Sequence, residues 1–181
     1  MKLQLALDRL TRGESIRILE SVKQYVDIIE VGTGVIKEYG VSIIKEIRDL
    51  YPDKTILMGF AANPIIKETL QVAKEMDGQM MVDLLEIQSA DRVRELSLIG
   101  VELVSLHVGK DKQTEGVFHT DLFSLIEGVP VKVAVAGGIN LKTLPEITQH
   151  KPDIVIIGSA ITGQDNPELV AKTIKNMMQG S

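Results

Sequence analysis

Apolar and polar positions follow one repeated pattern along this chain: a short apolar run, a polar or glycine-bearing loop, then residues with helical periodicity. The apolar runs predict seven strands, at residues 3–8, 27–32, 55–58, 79–84, 102–107, 132–136 and 153–158. The periodic segments predict seven helices, at about 13–24, 34–50, 63–77, 89–100, 118–127, 141–149 and 166–178. Strands that alternate with helices through short connections favour a parallel sheet covered by helices, in a single domain over residues 1–181.

Two architectures compete for this pattern, a TIM-type (β/α) barrel and a Rossmann-like open sheet. A dinucleotide-binding sheet carries G-x-G-x-x-G after its first strand, whereas the turn here is Asp8-Arg9-Leu10-Thr11-Arg12-Gly13. We therefore expect the α/β barrel. Seven units are one fewer than a closed (β/α)₈ barrel requires, so about one βα unit is expected to be missing.

Composition removes several classes of function. The net charge is −5 and there is no run of Lys or Arg, which argues against a nucleic-acid partner. The absence of cysteine excludes disulfides, a thiolate nucleophile and cysteine metal sites. No apolar stretch is long enough to cross a bilayer, so we expect no membrane partner and a soluble, cytoplasmic protein.

Ionisable residues stand at the ends of several predicted strands. Asp8 ends the first, Glu30 lies within the second, Asp83 lies within the fourth and His107 ends the fifth. In a barrel of this type these positions face the active site. A carboxylate inside an apolar strand is costly unless it is paired, hydrogen-bonded or bound to a cation. Each residue alone is also compatible with a structural ion pair or a loop-facing position, but together they predict proton transfer beside a hard cation such as Mg²⁺.

Glycine follows the last two predicted strands, in Ala136-Gly137-Gly138-Ile139 and in Ile157-Gly158-Ser159-Ala160. Glycines at these positions let backbone N–H groups approach a ligand closely, so Gly137, Gly138, Gly158 and Ser159 predict a phosphate site. The alternative is a pair of tight turns that need glycine for steric reasons alone. With the carboxylates, the phosphate interpretation describes proton abstraction or C–C bond chemistry on a sugar phosphate.

Other polar residues are weaker candidates. His119 and His150 are expected at the surface. Lys110 and Gln113 belong to a loop that either covers substrate or is simply solvated.

At this point the chain resembles a known family, 3-hexulose-6-phosphate synthase, whose relative is 3-keto-L-gulonate-6-phosphate decarboxylase, within the orotidine 5′-monophosphate decarboxylase superfamily. The residues that carry the resemblance are Leu3-Gln4-Leu5-Ala6-Leu7-Asp8, Asp27-Ile28-Ile29-Glu30-Val31-Gly32-Thr33, Val82-Asp83-Leu84, His107 with Gly109, Asp111 and Gln113, Val133-Ala134-Val135-Ala136-Gly137-Gly138-Ile139 and Val155-Ile156-Ile157-Gly158-Ser159-Ala160-Ile161-Thr162. The wording of the last two motifs is closer to the synthases, and the decarboxylases tend to carry Arg where Lys110 stands.

The resemblance implies a homodimeric (β/α)₈ barrel with Mg²⁺-dependent chemistry through a 1,2-enediolate. The synthase joins formaldehyde to ribulose 5-phosphate, and the decarboxylase removes CO₂ from a keto-sugar-acid phosphate. By resemblance, Asp8 contacts the substrate, Glu30 is a Mg²⁺ ligand, and Asp83 and His107 line the reacting end. The backbone around Gly138, Gly158 and Ser159 binds phosphate.

The chain departs from this family at the third strand. Family members carry Asp-x-Lys-x-x-Asp there, which supplies a second Mg²⁺ ligand and proton-transfer groups, and no such motif occurs in this chain. The third run passes from Leu57 and Met58 directly into Gly59, which looks like the loop after the family's fourth strand. Three explanations are open: a shortened copy of a longer natural chain, a catalytically impaired phosphate-binding relative, or a barrel that a partner completes.

Overall fold

The computed structural model describes residues 1–40, 42–57, 63–75, 79–85, 87–113 and 117–180. The strands are β1 Lys2–Leu7, β2 Ile28–Val31, β3 Thr55–Leu57, β4 Val82–Asp83, β5 Leu103–His107, β6 Lys132–Ala136 and β7 Ile154–Ile157. The α-helices are α1 Arg12–Val22, α2 Thr33–Tyr39, α3 Ser42–Leu50, α4 Asn63–Glu75, α5 Ala90–Leu98, α6 Leu144–Gln149, α7 Ser159–Thr162 and α8 Pro167–Gln179. Two 3₁₀ segments, Lys110–Lys112 and Thr120–Ile126, follow β5.

These strands join one parallel sheet in the order β3-β2-β1-β7-β6-β5-β4. The first and last strands pair with each other, with Leu3 opposite Val155 and Leu5 opposite Ile157. This pairing of β1 with β7 is how a (β/α) barrel closes on itself, and an open Rossmann-like sheet does not have it. The sheet instead opens between β3 and β4, because no pairing joins them within the described residues. The opening lies where the sequence predicts a missing βα unit.

Five strands, β1, β2, β5, β6 and β7, are largely buried on both faces, which produces two separate cores. One set of alternate residues, such as Leu5, Val104 and Val155, packs under the helices. The other set forms the interior of the curled sheet and consists of Ala6, Ile28, Met81, Leu103, Ala134, Ala136, Ile154 and Ile156. Because side chains alternate along a strand, the inner set also fixes which polar residues face the barrel mouth.

The helix predictions need two corrections. The predicted helix 34–50 is two helices, α2 and α3, because Gly40 takes a φ of +71° and ends α2. The predicted helix 118–127 is the 3₁₀ segment Thr120–Ile126. In α8 the buried residues include Ala171 and Ile174, whereas Leu169 of the same helix is 59% exposed.

Strand lengths also differ from prediction. The run 79–84 forms only the two-residue strand β4, which pairs with β5. A strand held from one side has few ladder bonds, which accounts for its shortness. Residue 58 of the third run, residues 76–77 of the third predicted helix and the stretch 58–62, which contains the predicted break, lie outside the described residues.

Two aspartates tie the amino ends of neighbouring strands together. The Asp27 carboxylate accepts the N–H of Leu3 at 2.8 Å and pairs with Lys175 of α8. The Asp153 carboxylate accepts the N–H of Val133 at 2.8 Å. These bonds lie at the end of the sheet opposite the candidate site, so they contribute to register and stability. Among the described residues, no helix is long and apolar enough to cross a membrane.

Candidate functional site

Glu30 lies near the carboxyl end of β2 and faces the barrel interior, opposite Ala6 in the strand pairing. Gln4 of β1 donates from Nε2 to Glu30 Oε2 at 2.8 Å. Burial raises the pKa of Glu30, and the neighbouring charges of Asp8 and Asp83 raise it further, whereas the bond from Gln4 opposes the shift. The carboxylates of Glu30, Asp8 and Asp83 therefore lie close enough to repel one another, as carboxylates do at sites that bind a cation.

Asp8 follows β1 directly and lies against Gly32. A Cβ built on Gly32 would stand 1.9 Å from Asp8 Oδ1 and 2.7 Å from the Leu7 carbonyl oxygen. Gly32 is therefore required for steric reasons, since any side chain would displace the Asp8 carboxylate. This contact joins the ends of β1 and β2, and sequence reasoning did not assign it a role.

Asp83 and His107 form a pair at the ends of β4 and β5. His107 Nδ1 lies 2.8 Å from Asp83 Oδ2, and Asp83 Oδ1 accepts the N–H of Leu85 at 3.1 Å. An ionised carboxylate can only accept, so Nδ1 carries the proton and Nε2 is left for other partners. The bond to Asp83 raises the pKa of His107, with smaller contributions from the charges of Asp83, Glu30 and Asp8. This arrangement suits a general acid or base.

The structure thus brings the four predicted polar residues to one end of the barrel, where they interact electrostatically. Within the described part of the chain, no three His, Asp or Glu side chains form a ready-made metal site. Mg²⁺ commonly binds through one or two carboxylates and keeps its other positions for water and substrate oxygens. Glu30 beside the charge of Asp8 fits that kind of site.

The first glycine loop follows β6. Gly137 and Gly138 have φ values of +96° and +68°, in the left-handed region that favours glycine. A Cβ on Gly137 would lie 2.2 Å from the Val108 carbonyl oxygen, whereas a Cβ on Gly138 would stand 3.4 Å from the side chain of Gln113. Gly137 is therefore needed for close packing of two loops. At Gly138 the contact is an ordinary van der Waals one with a flexible side chain, so glycine is favoured there by the positive φ and not by packing.

The shape of this loop is fixed by a network that the sequence did not reveal. Asn140 Oδ1 accepts the N–H groups of Lys142 at 2.8 Å and Thr143 at 3.3 Å, and its Nδ2 donates to the Gly138 carbonyl oxygen at 3.1 Å. Thr143, which is buried, accepts the N–H of Asn140 through Oγ1 at 3.0 Å. A loop held this way keeps its N–H directions before a ligand arrives. The spacing of Asn140 three residues before Thr143 was the feature of the sequence that could have indicated this network.

The second loop follows β7, the strand beside β6, so both loops lie at the same edge of the sheet. Gly158 precedes the short helix α7, and its carbonyl oxygen accepts from Ile161 and Thr162. The N–H groups of Ser159 and Ala160 open the first turn of α7, where the helix provides no acceptor for them. The predicted phosphate residues are therefore adjacent.

The loop after β5 lies between these two parts of the site. The Gln113 side chain folds back, donating from Nε2 to the Val108 carbonyl oxygen at 3.0 Å, and lies against Gly138. Beside it opens a cavity of about 590 Å³ whose lining includes His107, Lys112 and His119. That volume is in the range of small-molecule sites. His119 and His150 are exposed, as predicted, and His150 stacks on Phe123 with ring centroids 4.3 Å apart.

Comparison with known proteins agrees with this fold. The model of the orotidine 5′-phosphate decarboxylase / HUMPS family matches residues 1–58 and 52–174 in two separate stretches, which overlap at residues 52–58. The 3-hexulose-6-phosphate synthase of Bacillus subtilis (strain 168) is 31% identical over 210 aligned residues, covering 99% of this chain and 100% of the relative. That alignment is about 29 positions longer than the 181-residue chain. The difference is about one βα unit, and the break in the family match lies where the sequence predicts its absence.

Solved structures are similar over nearly the whole chain. The 3-hexulose-6-phosphate synthase of Salmonella typhimurium has a TM-score of 0.92 at 32% identity, covering 99% of each chain. KGPDC from Streptococcus mutans shares the fold with a TM-score of 0.84 at 22% identity, covering 99% of this chain and 97% of that chain. With its barrel-type closure of β1 on β7 and a family match in both halves of the sequence, this chain belongs to the orotidine 5′-phosphate decarboxylase / HUMPS family.

Proposed function

We propose that this chain is a lyase of the 3-hexulose-6-phosphate synthase type, which condenses formaldehyde with ribulose 5-phosphate through a Mg²⁺-dependent 1,2-enediolate. The observation that carries the proposal is the Asp83–His107 pair, which stands with Glu30 at the same end of the barrel as the glycine loops. Acid–base groups and an anion-binding backbone at one end of a sheet suit a phosphorylated substrate.

The phosphate group is assigned to the two glycine loops. The backbone N–H groups around Gly138 and at the start of α7 provide donors without positive side chains, which suits a chain with no overall basic charge. Anchoring the phosphate there directs the carbonyl end of a five-carbon chain toward the Asp83–His107 pair. The network of Asn140 and Thr143 holds the first loop in place during binding.

His107 is assigned to proton transfer. Asp83 holds its Nδ1–H, so Nε2 can accept a proton from C1 of the bound keto sugar, which leaves an enediolate. The enediolate carbon attacks the carbonyl carbon of formaldehyde, a C–C bond forms, and the resulting alkoxide takes up a proton. Atoms balance without an oxidant or a reductant.

Glu30 is assigned to a Mg²⁺ ion, with Asp8 beside it. When bound, the cation provides positive charge against the oxygens of the enediolate. Asp8, held against Gly32, is assigned to a contact with substrate hydroxyl groups. These assignments use one or two carboxylates, the number that Mg²⁺ commonly takes from a protein.

Two alternatives compete with the synthase. The decarboxylase of 3-keto-L-gulonate 6-phosphate shares the fold, but the full-length relatives described above at more than 30% identity bear the synthase name. A phosphate-binding relative without turnover is favoured by the missing Asp-x-Lys-x-x-Asp motif.

We also propose a homodimer, since β3 and β4 each leave one side unpaired within the described residues, and a second copy can cover such edges.

Formaldehyde consumption tests the proposal. The purified protein with Mg²⁺ and ribulose 5-phosphate should consume formaldehyde in proportion to the hexulose phosphate formed. His107→Gln should lower kcat by about 10²–10⁴-fold, because it removes the proton-transfer group. His150→Gln is the matched control, since His150 is exposed and stacks on Phe123. An inert parent protein that still binds ribulose 5-phosphate would overturn the lyase and favour the binding protein.

A further inference from the structure

Gln4 is a polar side chain in the middle of an apolar strand. Its neighbours Leu3 and Leu5 pack under the helices, so Gln4 faces the barrel interior, and it is 0% exposed. Burying an amide costs free energy unless both of its polar atoms find partners. The Oε1 atom of Gln4 has no hydrogen-bond partner within the part of the chain that the structure describes. An amide at this position is therefore poorly explained by stability.

The other end of the amide makes a specific contact. Gln4 Nε2 donates to Glu30 Oε2 at 2.8 Å, across the pairing of β1 with β2. The bond takes one carboxylate oxygen and thereby limits the directions in which the other can point. Gln4 belongs to β1, and its backbone is held by pairing with both β2 and β7. The donor is therefore a rigid support for a carboxylate nearer the mouth.

We infer that Gln4 is a positioning residue, whose amide nitrogen orients the Glu30 carboxylate toward a divalent cation. This inference rests on the proposed function, which assigns the cation to Glu30. A neutral donor suits the task, because it holds the carboxylate without adding positive charge that competes with the cation. Partners that orient a metal ligand commonly contribute about 10–100-fold to metal affinity.

The test compares Gln4→Met with Ser105→Ala. Methionine keeps the length and unbranched shape of Gln4 and removes its N–H donor. Ser105 is the matched control, because it is 1% exposed, faces the same interior from β5, and its Oγ likewise has no partner among the described residues. Each full-length protein is titrated with Mn²⁺ alone, without substrate, and thermal unfolding is recorded without metal.

We expect Gln4→Met to weaken Mn²⁺ binding by about 10–100-fold and Ser105→Ala to change it by less than about twofold. The metal-free Tm of Ser105→Ala should stay close to that of the parent, because this variant removes only an unsatisfied buried oxygen. Gln4→Met removes such an oxygen as well but also takes the donor from Glu30, so its metal-free Tm shows how much stability that bond contributes apart from metal binding. An equal Mn²⁺ affinity for Gln4→Met and the parent overturns the inference. An equal loss in both variants also overturns it, since that indicates a general effect on the barrel interior.

Glu30→Gln separates this inference from the proposed function. If Glu30→Gln binds Mn²⁺ as well as the parent does, the assignment of the cation to Glu30 is wrong and the inference falls with it. If Glu30→Gln loses binding while Gln4→Met keeps it, only the positioning role is wrong. Metal-free crystal structures give a second readout: Glu30 should occupy one rotamer in the parent and leave it in Gln4→Met. An unchanged rotamer contradicts the role of Gln4 whatever the metal affinities are.

Discussion

Adding one methyl group at Gly137 tests how closely the loop after β6 packs on the loop after β5. In Gly137→Ala, the new Cβ would stand 2.2 Å from the Val108 carbonyl oxygen and 2.9 Å from the Val108 nitrogen. Both atoms are backbone, so a side-chain rotation cannot relieve the contact. One of the two loops must move by about 1 Å to restore an ordinary van der Waals distance of about 3.4 Å.

Gly138→Ala separates this contact from the backbone penalty. Both glycines have positive φ, +96° and +68°, which costs a non-glycine residue about 1–2 kcal/mol. At Gly138 the nearest atom to a Cβ is Gln113 Cγ at 3.4 Å, in a flexible side chain. Gly137→Ala adds overpacking against backbone, which costs about 1–3 kcal/mol more. Its Tm should therefore lie at least about 2–4 °C below that of Gly138→Ala.

Thermal unfolding followed by circular dichroism measures both variants, with Gly13→Ala as a control for the substitution itself. Gly13 lies in the first turn of α1, and a Cβ there meets nothing within 4 Å, so alanine should stabilise the protein by about 0.5 kcal/mol. Equal stability of Gly137→Ala and Gly138→Ala would refute the role given to Val108. A gain in stability at Gly137 would refute the loop geometry as a whole.

Three further predictions concern charged groups. Burial raises the pKa of Glu30, so its ionised form destabilises the fold as pH rises above the ordinary value of 4.5. Glu30→Gln should therefore raise the Tm by about 2–4 °C at pH 7 and lose this gain below about pH 4. A gain in Tm that is equal at both pH values would contradict burial as the cause. The bond to Asp83 raises the pKa of His107, so the stabilising effect of this bond is complete below the ordinary value of 6.5 and disappears as pH rises through the folded-state pKa. Urea unfolding should therefore show that Asp83→Asn costs more stability at about pH 6 than at about pH 9. The reverse order would refute the pairing. Asp27→Ala should lower the free energy of unfolding in urea by about 1–3 kcal/mol, because it leaves the Leu3 N–H without its acceptor. Lys175→Met removes only the ion pair with Asp27 and should lower it by less than about 1 kcal/mol. Equal losses in the two variants would show that the ion pair dominates.

Much of the fold could be predicted because parallel strands buried on both faces have a distinctive sequence. Runs such as 132–136 and 153–158 are apolar on both alternating sets of residues, and the structure places them in β6 and β7. The positions of the candidate site residues follow from the same rule, since strand ends are visible in sequence. The missing unit was visible as well, because it removes a whole step of the repeat.

What could not be predicted depends on contacts between distant parts of the chain. The bond between Gln4 and Glu30 joins residues 26 apart, and nothing in either strand alone indicates it. Gly32 resembles an ordinary strand-end glycine until the Asp8 carboxylate is seen against it. Gly40 was a recognisable helix stop, but the apolar spacing on both of its sides is continuous and predicted one helix.

Exchange of the C1 proton of ribulose 5-phosphate in heavy water tests the central claim most directly, because it detects enediolate formation without formaldehyde. With Mg²⁺ present, the protein should replace this proton by deuterium, as followed by proton NMR. His107→Gln should abolish the exchange, and a chelator should suppress it. Ribulose 5-phosphate that binds to the protein yet keeps its C1 protons would contradict the account, and would show that the glycine loops hold the phosphate beside a reacting end that does no chemistry.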